Sequence, residues 1–332
     1  MLISKLLLLP CAAVAASAPL LLTEYIEKGD LAGARKDSQI VGLKVGTSSK
    51  PANMGAAGFY SVPSEKGDRI NNLYTWLHPC SDCNSTDPNT PLIVWLQGGP
   101  GAPGNFGSFA EIGNYYVDED LHLQERCYTW CASANCLFID QPTMTGFSFQ
   151  SYENGTAISN PDDVEYTSTS PFALEQVYRV LVQVLTIFPE HKHSPLYIAG
   201  ESYGGVYTGN FGLVIYNHNQ ELEREGSEHA KPEVGAVPTK MPINFVGLAV
   251  GDPVLNGIVQ WPTYPDTLYG MGLIMLDERE KLRTIFSNGV DALKKWEAGT
   301  GDCWTAFSYW NSVFEDDSGG GLPGNTVFAD IT

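Results

Sequence analysis

Residues 196–205 read LYIAGESYGG, and they place Ser202 between Gly200 and Gly204 directly after a short apolar run. The apolar run predicts a β-strand, and residues 206–217 can continue as a helix. A serine between two glycines at a strand-to-helix turn is typical of an exposed nucleophile, because side chains at the glycine positions would collide with neighbouring backbone. This context favours a catalytic Ser202, the alternative being an ordinary glycine-rich turn.

The rest of the chain alternates short apolar runs with longer helical patterns. Between residues 172 and 188, Leu174, Val177, Leu181 and Leu185 recur at steps of three and four, which indicates a helix. The strand candidates, each bounded by Gly, Pro, Asn or Asp, are residues 73–77, 92–96, 137–140, 196–199 and 244–250. This alternation predicts an α/β fold with one main catalytic domain.

A second glycine-rich motif follows the predicted strand 92–96, where residues 91–101 read PLIVWLQGGPG. Glycines allow backbone N–H groups to face a ligand. In an acyl-transfer enzyme, such a loop and the amide after the nucleophile together bind the oxyanion of the transition state. We therefore expect the amides of Gly99 and Tyr203 to form an oxyanion hole, the alternative being a structural turn after a buried strand.

The composition is that of an acidic chain able to fold. It has 332 residues, of which 43% are hydrophobic, and a formal net charge of −19. Phosphate binding needs clustered Lys and Arg, so this charge argues against a nucleic-acid partner. The chain is long enough to bury one large core, with or without a cap, and no cofactor is expected.

The N-terminus has the pattern of a secretory signal peptide. Lys5 precedes an apolar run over residues 6–15, and small residues follow. We assign residues 1–18 to the signal peptide; a membrane anchor is the alternative, but the run is too short to span a bilayer. The sequence thus predicts a protein of the secretory pathway, secreted or in a vacuole or lysosome. Asn84 and Asn154 begin glycosylation sequons, which are expected to carry glycans on surface loops.

The cysteines agree with an oxidising compartment. The sequence has seven, and removal of Cys11 with the signal peptide leaves an even set. We expect these six to form disulfides. The pair Cys80-x-x-Cys83 could instead begin a zinc site, but no second pair follows at finger spacing, so no metal is expected. The remaining six cysteines are Cys80, Cys83, Cys127, Cys131, Cys136 and Cys303.

Four motifs in order resemble those of the serine carboxypeptidases. Residues 200–205 (GESYGG) resemble GESYAG or GESYGG, and residues 95–101 (WLQGGPG) resemble WLNGGPG. Residues 140–149 (DQPTMTGFSF) resemble DQPVGTGFSY, and residues 58–60 with 72–77 resemble the opening strands of the family. The resemblance covers about residues 55–275. It implies an α/β-hydrolase fold with a cap insertion, and removal of C-terminal residues from peptides through an acyl-serine intermediate.

The resemblance also implies how a substrate is held. In the family, residues that match Gln97, Gly98 and Glu201 bind the free C-terminal carboxylate of a peptide, and Glu111 matches a supporting glutamate. An acid binds a carboxylate only by sharing a proton, so we expect substrate binding to weaken above about pH 5 to 6. Gln97 replaces the usual asparagine, which keeps the amide but adds a methylene.

The sequence departs from the family most clearly after Ser202. In α/β-hydrolases an acid and then a histidine follow the nucleophile in chain order. The histidines after Ser202 are His218 and His229, which lie among acidic residues and are interpreted as solvated. We therefore assign residues 19–252 to the N-terminal part of the hydrolase core and residues 253–332 to an incomplete cap, with the catalytic Asp and His outside this chain.

Two classes of function remain open on this interpretation. The first is a secreted serine carboxypeptidase, of which this sequence is a truncated and inactive part. The second is a non-catalytic pseudoenzyme or binding protein with the same fold. An esterase or acyltransferase is a third alternative, and Glu201 beside the nucleophile favours the peptidase, whose partners would be peptides or proteins with a free C-terminus.

Overall fold

The computed structural model describes residues 18–46, 53–226 and 235–313. The chain divides into two compact units, residues 1–253 and 254–332. Almost all of the expected signal peptide, as well as His229, lies outside the described residues. The first unit contains strands and helices, as the α/β prediction required, and the second is helical.

The strands all belong to the first unit. In chain order they are β1 (Ala56–Pro63), β2 (Ile70–His78), β3 (Leu92–Leu96), β4 (Tyr115–Val117), β5 (Leu123–Glu125), β6 (Asn135–Ile139), β7 (Phe149–Ser151), β8 (Leu196–Glu201) and β9 (Phe245–Gly251). Within the described ranges, seven of them form the main sheet, in the order β1-β2-β6-β3-β8-β9 with β7 beside β2, whereas β4 and β5 form a separate hairpin. β6, β3, β8 and β9 are parallel, so their carboxyl ends meet at one edge of the sheet.

The helices of each unit comprise, within the described residues, one of 22 residues and several shorter ones. Those of the first unit are α1 (Leu22–Glu27), α2 (Leu31–Asp37), α3 (Gly104–Phe106), which continues as the π-helix Gly107–Glu111, α4 (Ser170–Ile187) and α5 (Gly204–Glu225), with 3₁₀ turns at Trp130–Ala132, Pro161–Asp163 and Pro189–His191. Those of the second unit are α6 (Gly257–Gln260), the 3₁₀ turn Trp261–Thr263, α7 (Tyr264–Gly270), α8 (Leu276–Glu297) and α9 (Cys303–Asn311). None of the helices among the described residues is long and apolar enough to cross a membrane.

Helix α4 shows how the sequence pattern builds the core of the first unit. The hydroxyl of Thr169 caps its first turn by accepting a hydrogen bond from the amide of Phe172 at 3.4 Å. The four residues of the predicted apolar stripe, Leu174, Val177, Leu181 and Leu185, are all buried. They pack with the apolar residues of β3, β6 and β8 in the main core, so the helix prediction is confirmed.

The predicted strands agree with the structure except at their ends. β8 extends to Glu201, two residues beyond the apolar run. β6 ends at Ile139, and the carboxylate of the next residue, Asp140, accepts hydrogen bonds from the amides of Asn105 and Phe147, each at 3.0 Å. The buried Asp140 thereby fixes the loop that follows β6 to the start of α3.

The second unit has its own small core. Leu282 and Phe286 of α8 pack with Leu268 of α7, and the rings of Trp261 and Trp310 stack with centroids 5.5 Å apart. The spacing of the two α8 residues, four apart, puts them on one face of the helix.

The disulfide prediction is only partly right. Cys80 is bonded to Cys83 and Cys131 to Cys136, which leaves no zinc pair at Cys80 and Cys83. Within the described residues, Cys127 and Cys303 are exposed free thiols, so the expectation that all six would pair is wrong for these two. The bridges that do form close loops between residues three and five apart in sequence, which require little chain ordering.

Candidate active site

The turn between β8 and α5 presents Ser202 as the sequence motif predicts. Ser202 has φ 57°, a left-handed conformation that is uncommon for a residue with a side chain. A Cβ built at Gly200 or at Gly204 would lie 2.6 or 2.5 Å from the carbonyl oxygen of Leu96, closer than any real contact. Both glycines are therefore needed so that the end of β3 can pass directly beside the turn.

The loop after β3 lies against the same turn. A Cβ at Gly98 would lie 2.6 Å from the carbonyl oxygen of Glu201 and 2.9 Å from the amide nitrogen of Tyr203. Gly99, with φ 111°, continues the loop in a conformation that only glycine adopts readily. The structure thus brings Gly98, the residue before the expected donor Gly99, next to Ser202 and to the amide of the other expected donor, Tyr203.

Gln97 connects the expected carboxylate-binding residues. Its Oε1 accepts a hydrogen bond from the indole Nε1 of Trp95 at 2.7 Å, and because an indole only donates, this contact fixes the orientation of the amide. The Nε2 then donates to Oε1 of Glu111 at 3.1 Å and to Oε2 of Glu201 at 3.2 Å. The three residues, far apart in sequence, form one hydrogen-bonded group beside Ser202. Gly107 of the π-helix allows this because any side chain there would collide with Trp95 and Gln97.

The electrostatics of this group favour a proton on Glu111. Burial raises the pKa of Glu111 to about 7, and the hydrogen bond and charge of Glu201 act in the same direction, against the opposing effect of Gln97. Two carboxylates in contact hold one proton because both cannot be ionised without repulsion. A pKa raised to about 7 favours the protonated form of Glu111 below neutral pH.

The end of β9 completes the surroundings of the nucleophile. The carbonyl oxygen of Gly251 accepts a hydrogen bond from the amide of Ser202 at 3.1 Å. The next residue, Asp252, has its pKa raised by partial burial and by the charge of Glu201. Asp252 and the indole contact of Trp95 were not predicted from the sequence; Trp95 is visible in the motif WLQGG, but its contact with Gln97 could not be inferred from spacing.

The histidines that the structure describes in the first unit do not complete a triad with Ser202. Across the described ranges, no histidine is hydrogen-bonded to Ser202. The expectation that His218 is solvated is wrong. Its Nε2 lies 2.8 Å from Oε1 of Glu175, and its ring stacks on that of Tyr178 with centroids 4.0 Å apart. His78 is buried against Ser108, and burial lowers its pKa to about 3. These histidines have structural partners on other elements.

The two sequons lie on exposed loops. The side-chain oxygen of Asn84 accepts hydrogen bonds from the amide and the hydroxyl of Thr86, at 3.2 and 2.9 Å. Asn154 accepts one from the amide of Thr156 at 3.0 Å. Both asparagines are exposed to solvent, and their glycosylation stays a prediction.

Comparison with known proteins identifies the family of this chain. Residues 46–327 match the family described as serine carboxypeptidase. The human protein named probable serine carboxypeptidase CPVL is 34% identical over 263 residues, 79% of this chain and 47% of its own length. The venom serine carboxypeptidase of Apis mellifera is 32% identical over 284 residues, 85% of this chain and 52% of its own length. The chain thus spans about half the length of these relatives.

A solved structure supports the fold. The crystal structure of a prohormone-processing carboxypeptidase from Saccharomyces cerevisiae matches with a TM-score of 0.58 at 21% identity, over 79% of this chain and 54% of that one. At this identity the match concerns the fold, which is that of an α/β-hydrolase. Together with the family match, it shows that this chain belongs to the serine carboxypeptidase family.

Proposed function

We propose that this chain carries the nucleophile and the substrate-carboxylate site of an enzyme that releases C-terminal residues from peptides. The observation that supports this best is the hydrogen-bonded group of Gln97, Glu111 and Glu201 beside Ser202. Two ionised acids would repel an anionic ligand, but a protonated acid and an amide can donate hydrogen bonds to a free carboxylate.

In this proposal the residues have separate roles. Ser202 attacks the carbonyl of the last peptide bond, and the amides of Gly99 and Tyr203 stabilise the oxyanion that develops there. Gln97 donates to the C-terminal carboxylate, and the proton shared by Glu111 and Glu201 forms a charge-assisted hydrogen bond with it. Gly98 contributes the close approach of the loop. The base that would take the proton of Ser202 is not among the histidines described above.

The test is a binding experiment, because binding does not depend on the base. The affinity of N-acetyl-Phe-Leu and of its C-terminal amide is measured by calorimetry between pH 5 and pH 8.5. The free acid should bind at pH 5 and lose about tenfold or more in affinity as the pH rises through about 7, since the site then loses its proton. The amide should bind weakly at every pH.

Three variants make the test specific. Ser202→Ala should keep the binding of the free acid, because the serine is not a carboxylate ligand in this proposal. Glu111→Gln should remove most of the pH dependence by replacing the proton with a permanent donor. Asp82→Asn, at the opposite end of the sheet near Ala132, is the matched control and should change nothing. Parallel pH profiles for the free acid and the amide in the unmodified chain would disprove the carboxylate site.

We also propose that the protein passes through the secretory pathway, with residues 1–18 removed and glycans on Asn84 and Asn154. The two disulfides support this, because such bonds persist in oxidising compartments. N-terminal sequencing and glycosidase treatment of protein from a eukaryotic secretory host test it. A retained Met1 on unglycosylated protein would count against the proposal.

A further inference from the structure

A buried histidine at the end of β2 contacts the chain on both sides of Glu111. His78 is fully buried, and its Nε2 lies 3.1 Å from Oγ of Ser108. The amide of Asn114 donates to its Nδ1 at 3.5 Å. Ser108 is three residues before Glu111, and Asn114 is three residues after it. One ring therefore holds both ends of the short segment that carries this acid.

The two contacts define where the proton of the ring lies. A backbone amide can only donate, so Nδ1 accepts, and the proton is on Nε2, which donates to the hydroxyl of Ser108. Burial lowers the pKa of His78 to about 3, so the ring is neutral throughout the pH range of the binding experiment. The contact with Ser108 therefore stays the same while Glu111 titrates.

The other neighbours of the His78 ring are aromatic. Its centroid lies 4.3 Å from that of Trp76 and 4.9 Å from that of Phe138. An apolar side chain could pack between these rings without burying two polar nitrogens, which is costly unless each has a hydrogen-bond partner. The contacts with Ser108 and Asn114 are thus what distinguishes histidine from an apolar residue at this position.

The segment between the two contacts has a conformation that needs support. It contains the π-helix Gly107–Glu111, in which the amide of Ile112 donates to the carbonyl of Gly107 at 2.9 Å. Such single turns are rare and occur often at functional sites. Ser108 and Glu111 belong to this one turn, so a shift of Ser108 would also shift Glu111. The 3.1 Å contact of Glu111 with Nε2 of Gln97 would then lengthen and weaken.

We propose that His78 is a positioning residue that holds Glu111 against Gln97 by fixing Ser108 and Asn114. This inference rests on the proposed function, because the place of Glu111 matters for binding only if it belongs to a carboxylate site. Without the donor at Nε2 the π-helix can relax, and Glu111 becomes more accessible to water. Its proton is then held less tightly, because burial and contact with Glu201 are what raise its pKa.

The direct test is titration of Glu111 in the ligand-free protein. Carboxyl carbons of glutamate labelled with ¹³C are followed by NMR, and Glu111→Gln identifies the signal. His78→Phe keeps an aromatic ring but removes the donor, and the Glu111 midpoint should lie about one pH unit lower, nearer its ordinary value. Ser108→Ala removes the acceptor and should give the same shift. His78→Gln keeps an N–H donor near the position of Nε2 and should restore most of the midpoint.

A double variant and a control distinguish positioning from general destabilisation. His78→Phe combined with Ser108→Ala should shift the midpoint no further than either change alone, because both remove the same hydrogen bond. Thr23→Val removes the buried hydrogen bond of 2.7 Å to Gln183 of α4, and should lower stability without moving the midpoint. An equal shift in Thr23→Val overturns the inference. So does an unchanged midpoint in both His78→Phe and Ser108→Ala.

Binding of N-acetyl-Phe-Leu connects the midpoint to the site. A midpoint one unit lower leaves about one fifth as much protonated acid at pH 7, so His78→Phe should bind the free acid about fivefold more weakly at that pH. His78→Gln should bind it as the unmodified chain does. A midpoint lowered in His78→Phe, when the unmodified chain does not distinguish the free acid from the amide, overturns the proposed function and leaves the positioning of Glu111 by His78 in place.

Discussion

Four glutamates of the first unit form two pairs that differ in their neighbours. Glu190 and Glu221 lie away from the nucleophile and have cationic partners. The two terminal guanidinium nitrogens of Arg35 donate to the two carboxylate oxygens of Glu190, and Oε2 of Glu221 lies 2.7 Å from Nζ of Lys240. Glu111 and Glu201 have each other and the amide of Gln97. Glu190 and Glu221 are thus paired with cations, whereas no lysine or arginine among the described residues forms an ion pair with Glu111 or Glu201.

The pKa directions follow this difference. For Glu190, burial alone would raise the pKa, but the hydrogen bonds and charge of Arg35 outweigh it and lower the pKa. For Glu221, the hydrogen bond of Lys240 lowers the pKa. For Glu111, burial and Glu201 raise it to about 7. Replacing a glutamate by glutamine should therefore lower stability where a cation is the partner and raise it at Glu111 above neutral pH.

The largest effect on the free energy of unfolding is expected when Glu190 is replaced. Glu190→Gln replaces a two-point contact with Arg35 and leaves a half-buried guanidinium without its carboxylate. We expect the free energy of unfolding at pH 7 to fall by about 1–2 kcal/mol, as for a partly exposed charge-assisted pair. Urea unfolding followed by tryptophan fluorescence measures it, with Asp82→Asn as the control. Stability equal to that of the control would show that the pair contributes nothing.

A smaller effect of opposite sign is expected at Glu111. Its pKa in the folded chain, about 7, lies above the ordinary value of 4.5, so the folded state keeps a proton that the unfolded state loses. The resulting stability is complete below about pH 4.5 and is lost as the pH rises through about 7. Glu111→Gln should therefore be more stable than the unmodified chain by about 1 kcal/mol at pH 8, after allowance for solvent screening, and equal to it at pH 4.5.

This prediction is checked by unfolding curves for both proteins at four or five pH values. The difference in the free energy of unfolding should grow between pH 4.5 and 8 and then stay constant. A difference that is the same at every pH would mean that Glu111 does not hold the shared proton in the free protein.

The smallest effect is expected at Lys240. Its ion pair with Glu221 is exposed, and exposed pairs contribute little because water screens them and the long side chains lose freedom. Lys240→Met should leave the thermal unfolding midpoint within experimental error at physiological salt. A clear decrease that disappears at high salt would show instead that the pair is electrostatically important, which would weaken the contrast between the two groups.

The sequence predicted the elements of the site better than its electrostatics. The glycine spacing located the turn at Ser202 and the loop at Gly99, because these conformations depend on local residues. Gln97, Glu111 and Glu201 were implied by resemblance to a family, and no local pattern links them. Arg35 and Glu190 are 155 residues apart, and their pairing arises from how α2 packs near the end of α4. The end of β9 lies beside Glu201 through the register of β9 with β8, which the sequence did not reveal.

Gly98 has a consequence for how motifs of this kind are interpreted in other chains. A Cβ there would lie 2.6 Å from the carbonyl oxygen of Glu201 and 2.9 Å from Cβ of Ser202, so the packed backbone itself excludes a side chain. A protein that had lost catalysis but kept this sheet would still need a glycine at this position. Packing makes no such demand for the acid at position 111, which lowers stability at neutral pH. Presence of the glycine motif thus reports a folded sheet, whereas Glu111 has to be tested by its chemistry.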